Sequence, residues 1–175
     1  MASALSSIAG VLDGLAVEWM LFGALAANRY RAETRLTGDT DVLLANVGRS
    51  LEELERALGA AGWSVFRATP DGSLLRVRHL ELGVADLVIA GTEFERIALS
   101  RASFEATPDG IRLRVPTRED AILFKLIAGR AKDIADIESI LDTNPALDEA
   151  YVERWASAWD VLDRWTGLRA SSRHV

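Results

Sequence analysis

Residues 82–90, LGVADLVIA, form a nine-residue apolar run interrupted only by Asp86. The run is rich in β-branched residues and too short for a helix of ordinary length, so it reads as a buried strand. A strand apolar on both sides needs cover on both faces, which points to a sheet faced by helices. Its single carboxylate is costly to bury without a partner. Asp86 is therefore either a paired structural residue or part of a site.

Other strands gather around this one. VEWMLFG, 17–23, is a short apolar run ending in Gly23, and DVLLA, 41–45, is a second. WSVFRATPDGSLLRVRH and SFEATPDGIRLRV each place Pro-Asp-Gly between alternating segments, a hairpin signature. Helical spacing marks residues 3–15, 24–31 and 93–102. Residues 49–62 add a helix with Ser50 as N-cap, Glu53 completing a capping box and Gly62 as stop. From Thr117 onward the pattern is helical, with breaks near Gly129 and at Asn144-Pro145, and the tail RASSRHV is expected to fray. The expected fold class is α/β (α+β): a small mixed sheet flanked by helices, with a helical C-terminal part. The division expected is a core over 1–115 and a helical subdomain over 116–175.

The 175-residue chain contains no cysteine, which removes disulfides, thiolate catalysis and cysteine-bound zinc. Two histidines, His79 and His174, cannot build a histidine-rich metal centre. A metal here must be a hard cation on carboxylates, Mg2+ or Mn2+. No apolar run matches the ~18 residues of a membrane span, and Asp13 interrupts the apolar N-terminus, so a cytoplasmic protein without membrane association is expected. The net charge of −6 argues against extensive nucleic-acid wrapping. A local basic group, Arg29, Arg31 and Arg35, nevertheless precedes an acidic pair, and with Arg130 and Lys132 it is a candidate for RNA phosphates. Trp155, Trp159 and Trp165 read as packing residues.

That acidic pair is Asp39 and Asp41 in RLTGDTDVLLA. Side chains two apart on a strand share a face, so the two carboxylates repel unless water screens them or a cation joins them. Asp86 at a neighbouring strand would complete a three-carboxylate metal site. Gly23, ending one strand and opening a helix, lets a phosphate approach backbone N–H groups. Metal at the acids and triphosphate at the turn are the parts of a nucleotidyl-transfer site.

FGALAANRYRAETRLTGDTDVLLA resembles the signature of the nucleotidyltransferase superfamily related to DNA polymerase beta: a glycine turn, a helix, then Asp-x-Asp on the next strand. Arg35 and Thr37 before the acids, with KLIAGRAKDIADI downstream, resemble its AbiEii-type toxin branch. The second block supplies Lys125, Arg130, Lys132, Asp133 and Asp136. The likeness spans roughly residues 15–140, with one departure: Ala24 stands where the family has Gly or Ser, offering an N–H but no hydroxyl. The resemblance implies transfer of an NMP from an NTP to an acceptor hydroxyl, with Asp39, Asp41 and Asp86 as catalytic metal ligands. Gly23, Ala24, Thr40, Lys125 and Arg130 are the nucleotide contacts it implies. It further implies a toxin acting on tRNA or another cellular acceptor, with an antitoxin protein as partner. Two alternatives stay open: antibiotic nucleotidyl transfer to an aminoglycoside or lincosamide, and a catalytically silent member. Helix pairing alone would also explain Arg130 with Asp133 and Lys132 with Asp136.

Overall fold

The computed structural model describes residues 3–45, 51–106, 112–143 and 146–172. The chain divides into two compact units, each built from two stretches of sequence. Met1–Phe22 with Thr37–Pro116 makes a strand-rich unit, and Gly23–Leu36 with Thr117–Val175 a helical one. Residues 23–36 thus group with the C-terminal helices rather than with the strands that flank them in sequence.

The strand-rich unit carries β1 (Trp19–Leu21), β2 (Thr40–Leu44), β3 (Ser64–Arg67), β4 (Leu74–His79) and β5 (Gly83–Ile89). They form one sheet in the order β1-β2-β5-β4-β3. Only the β2–β5 pair is parallel, so the sheet is mixed. β5 is central, as its apolar run requires, but it is not buried on both faces. Ala85 and Leu87 are buried with Leu75, Val77, Val42 and Leu44, whereas Val84 and Phe66 on the other face remain exposed. The core therefore lies on one side of this part of the sheet. Helices α1 (Ala4–Gly14) and α3 (Leu51–Ala60) add Ile8, Leu12, Leu54 and Leu58 to the buried set. Each such side chain contributes roughly 1.5–3 kcal/mol by leaving water.

Turn chemistry fixes the strand register. At the β3–β4 turn the Asp71 carboxylate accepts from the Ser73 N–H (3.1 Å) and hydroxyl (2.8 Å), which hold its pKa down to about 2. Gly72 there has φ +71, where a side chain would be strained, and a Cβ would lie 2.6 Å from Leu51 Cδ2, so glycine is favoured. Helix α4 (Glu93–Arg101) starts in a Thr92/Glu95 capping box, and β6 (Ser103–Ala106) pairs with β7 (Arg112–Val115) in a second small sheet. The second Pro-Asp-Gly turn, the expected Ser50 cap and the break at Asn144-Pro145 lie outside the described residues.

The helical unit contains α2 (Gly23–Ala27), α5 (Arg118–Ala128), α6 (Ala131–Leu141), α7 (Glu149–Ala158) and α8 (Leu162–Ser172). The helix expected over 24–31 stops at Ala27. Beyond it the Asn28 amide clamps the Arg35 backbone, donating to its carbonyl (2.7 Å) and accepting its N–H (3.1 Å). α5 begins at a Thr117 cap and ends at Gly129, whose φ of +61 suits the left-handed C-terminal position. Of the tail expected to fray, residues 169–172 belong to α8, which continues through Ser172, with Arg169 paired to Glu149 at 2.5 Å. Trp155 and Trp165 are buried, while Trp159 is 37% exposed. Among the described residues no helix is long and apolar enough to cross a membrane.

Candidate functional site

The parallel pairing of β2 and β5 sets Asp41 opposite Asp86. Register partners present their side chains to the same face. The next pairing, β5 with β4, sets Arg76 opposite Asp86, and β4 with β3 sets Phe66 opposite Arg76. One cross-strand row on the less covered face therefore reads Asp41, Asp86, Arg76, Phe66. Asp39 lies two residues before Asp41, just ahead of β2, and is exposed. The Phe22 N–H donates to the Asp41 carbonyl at 3.0 Å and secures this strand entrance. Thr40 does not join the row. It pairs with Ala85, whose side chain lies on the buried face, so only its backbone can serve a nucleotide on the acid face.

The question raised by Asp86 has a direct structural answer. Arg76 grips it through a bidentate fork, Nε to Oδ1 and Nη2 to Oδ2, both 2.8 Å. The hydrogen bonds to Asp86 raise the Arg76 pKa most, followed by the Asp86 charge itself. Asp39 and Asp41 add to the rise, which places all three carboxylates within electrostatic reach of this guanidinium. Both side chains of the pair retain solvent access, so the fork is chiefly a geometric constraint.

The donor chemistry of Asp39 and Asp41, hard oxygens on one face, fits a divalent cation. Asp86 departs from the three-ligand expectation because both its oxygens already face Arg76. Among the described residues no group of three or more Asp, Glu or His side chains is gathered closely enough to hold a metal ion.

The helical unit holds a separate charged cluster, and it changes the expected roles of Lys125, Arg31 and Arg35. Lys125 is buried on α5, and its ammonium reaches Asp133 at 2.9 Å and Asp136 at 2.8 Å, both buried on α6. Burial pushes the Lys125 pKa down, against the pull of Asp133. Asp136 also receives Arg31, and Arg35 at 3.4 Å. Those arginines are internal partners of a buried carboxylate rather than a solvated basic face. Arg130 is the N-cap residue of α6 and forks onto Asp133 at 2.5 and 3.2 Å, as the i,i+3 spacing anticipates. Lys132 is exposed, and Asp136 takes the three cations above in its place. Gly23 opens α2 at φ +61, and Ala24 is buried. α2 has only five residues, so its dipole is small and a phosphate there would depend on the N–H groups themselves.

Sequence reasoning missed Arg76. Its signal was present: a tight turn over 80–82 between the alternating segment that ends at His79 and the apolar run puts position 76 opposite 86, where a lone carboxylate waits.

No family model matches the chain, and no curated protein matches it. Solved structures do. The antibiotic-resistance factor ANT(2'')-Ia aligns over 98% of this chain and 96% of its own, with a TM-score of 0.58 at 16% identity. The lincosamide antibiotic adenylyltransferase LnuA aligns over 78% and 93%, with 0.53 at 16%. MenT4, a nucleotidyltransferase toxin from Mycobacterium tuberculosis, aligns over 87% of this chain but 60% of its own, with 0.55 at 20%. At such identities the likeness is one of fold. The chain has the mixed α/β fold of the nucleotidyltransferases.

Proposed function

We propose that the chain is a nucleotidyltransferase, moving an NMP from an NTP to an acceptor hydroxyl, and that it is the toxin of a toxin–antitoxin pair. The observation that carries the chemistry is the register of Asp41 against Asp86 on parallel strands, with Asp39 two residues away. Asp39 and Asp41 are the residues that would hold Mg2+ or Mn2+. Bound there, the cation supplies Lewis acidity, offsetting triphosphate charge and acidifying a coordinated hydroxyl. Asp86 orients the acceptor hydroxyl and takes its proton on a lone pair outside the Arg76 fork. The hydroxyl oxygen bonds to the α-phosphorus, the bond from that phosphorus to the α,β-bridging oxygen breaks, and pyrophosphate leaves with the electron pair. The resemblance also assigns nucleotide contacts to Gly23, Ala24 and Arg130, which belong to the helical unit.

The acceptor in the toxin reading is tRNA or another cellular RNA. The resemblance of the 35–45 and 125–137 segments to the AbiEii-type branch supports it, as does the fold shared with MenT4. A second reading, nucleotidyl transfer to a hydroxylated antibiotic, draws on the near end-to-end match with ANT(2'')-Ia. One experiment separates them: incubation with labelled NTPs and Mg2+ or Mn2+, in the presence of total cellular RNA, an aminoglycoside or a lincosamide. Label on small RNA, absent with Asp39→Ala/Asp41→Ala, supports the toxin. Label only on a drug supports the second reading. No transfer, with NTP binding indifferent to metal and to that double substitution, overturns both and leaves a silent member of the fold.

A further inference from the structure

We propose that Arg76 occupies the place of a second divalent cation: the site takes one metal ion, at Asp39 and Asp41, and the guanidinium is the resident positive charge on Asp86. The proposal rests on the nucleotidyl-transfer reading above and adds to it the metal count and the role of a residue that reading does not require.

The geometry leads there directly. Asp41 and Asp86 share one face of the sheet and Asp39 stands just ahead of β2, yet among the described residues no three carboxylates form a set able to hold a metal. The Arg76–Asp86 fork engages Asp86, each of whose oxygens already meets an N–H at 2.8 Å. A guanidinium is planar, keeps its proton at any working pH, and matches a carboxylate edge to edge. A divalent cation on the same carboxylate would be confined to the lone pairs outside the fork and would stand close to a fixed positive charge, which opposes its binding.

The backbone holds Arg76 to this position. β4 and β5 pair continuously from Leu74 opposite Val88 to His79 opposite Gly83. Arg76 therefore cannot slide along β5, and only a rotamer change would release Asp86. The Arg76 side chain is 58% exposed and outside the core, so it can be exchanged while the sheet is kept. In this arrangement the guanidinium neutralises Asp86 and fixes the plane of its carboxylate, which sets the direction from which an acceptor hydroxyl approaches. Arg76 is a positioning residue acting through Asp86.

Counting bound metal tests this without relying on turnover. Native mass spectrometry of the full chain with Mn2+ and the four α,β-methylene nucleoside triphosphates should show one Mn2+ per nucleotide-bound chain. Arg76→Gln, with wild-type circular dichroism, should show two, and Arg76→Gln/Asp86→Asn should return to one. Asp86→Asn alone should leave the Mn2+ count at one and Mn2+ affinity within about twofold, a result that holds even if the glutamine variant fails to fold. Two Mn2+ on the wild type, one on Arg76→Gln, or a Mn2+ ion lost with Asp86→Asn alone would each overturn the proposal while leaving nucleotidyl transfer standing. A wild type that binds no Mn2+ with any nucleotide overturns the transfer reading, and this proposal with it.

Discussion

Asp136→Asn is the substitution to which this fold should be most sensitive away from the sheet. The carboxylate is 1% exposed and receives Arg31, Lys125 and, at 3.4 Å, Arg35. Arg35 lies partly in solvent at long range, so its share is small. Arg31 and Lys125 are well buried; removing Asp136 takes the carboxylate from Arg31 and leaves Lys125 with Asp133 alone, and breaking a buried pair in this way costs about 3–5 kcal/mol. Asparagine keeps one acceptor oxygen, which favours the lower end, about 3 kcal/mol. For a chain of this size that lowers Tm by roughly 6–12 °C. The assay is urea and thermal unfolding followed by far-UV circular dichroism, repeated for Lys125→Met and for the double variant. Shared partners predict a double loss smaller than the sum by about 1–3 kcal/mol. An Asp136→Asn variant within about 1 kcal/mol of wild type, or strictly additive losses, would refute the claim that this cluster is a single buried network.

Asp71 should titrate near pH 2 by NMR, held down first by the Ser73 N–H; with its folded pKa below the unfolded value, its contribution to stability is present above the usual carboxylate range and is lost as pH falls toward 2. Asp133 should behave likewise: burial pushes its pKa up, but the hydrogen bonds from Arg130 and Lys125 outweigh that, so stability attributable to it fades only in strong acid, which acid unfolding of Asp133→Asn would reveal by a flatter pH dependence. Gly129→Ala should cost about 1 kcal/mol or more in chemical denaturation, because φ is +61 and the new Cβ would meet the Arg164 guanidinium. Asp86→Asn should fold normally, since its amide oxygen still accepts from Arg76, while nucleotidyl transfer falls at least about a hundredfold, the usual scale for losing a positioned base; transfer at the wild-type rate would make Asp86 structural.

Much of the fold was legible because local signals agreed with the tertiary outcome. The apolar run at 83–89 had to be central, and Asp71-Gly72 had to turn. Helical spacing marks the helix over 93–102 and the helical part from Thr117 onward, and both are present. Two kinds of information were not local. The first is strand partnership: Asp86 is a lone carboxylate in one dimension and a paired one once β4 lies beside it, and only register reveals Arg76. The second is helix context. Arg31 and Arg35 look like surface charge because arginine is mostly exposed, yet Asp136, about a hundred residues later, draws Arg31 inward and engages Arg35 at longer range. Lys125 was read as a nucleotide contact from the resemblance; Asp133 and Asp136 stand in the same segment, but that both are buried around the ammonium depends on how α5 packs on α6.

The assignment of residues 23–36 to the helical unit has a consequence for how the chain is made. The alanines of α2, Ala24, Ala26 and Ala27, are buried in the finished protein, in a unit otherwise supplied by residues after 116. During synthesis at roughly 5–20 residues per second, α5 and α6 leave the ribosome many seconds after α2 does. Through that interval the strand unit can assemble around β2 and β5, while the segment between β1 and β2 has none of its eventual helical neighbours. A nascent chain stalled before Thr117 should therefore be a chaperone client and a protease target at 23–36, and release from that state should coincide with emergence of α6, when Asp136 first becomes available to Arg31.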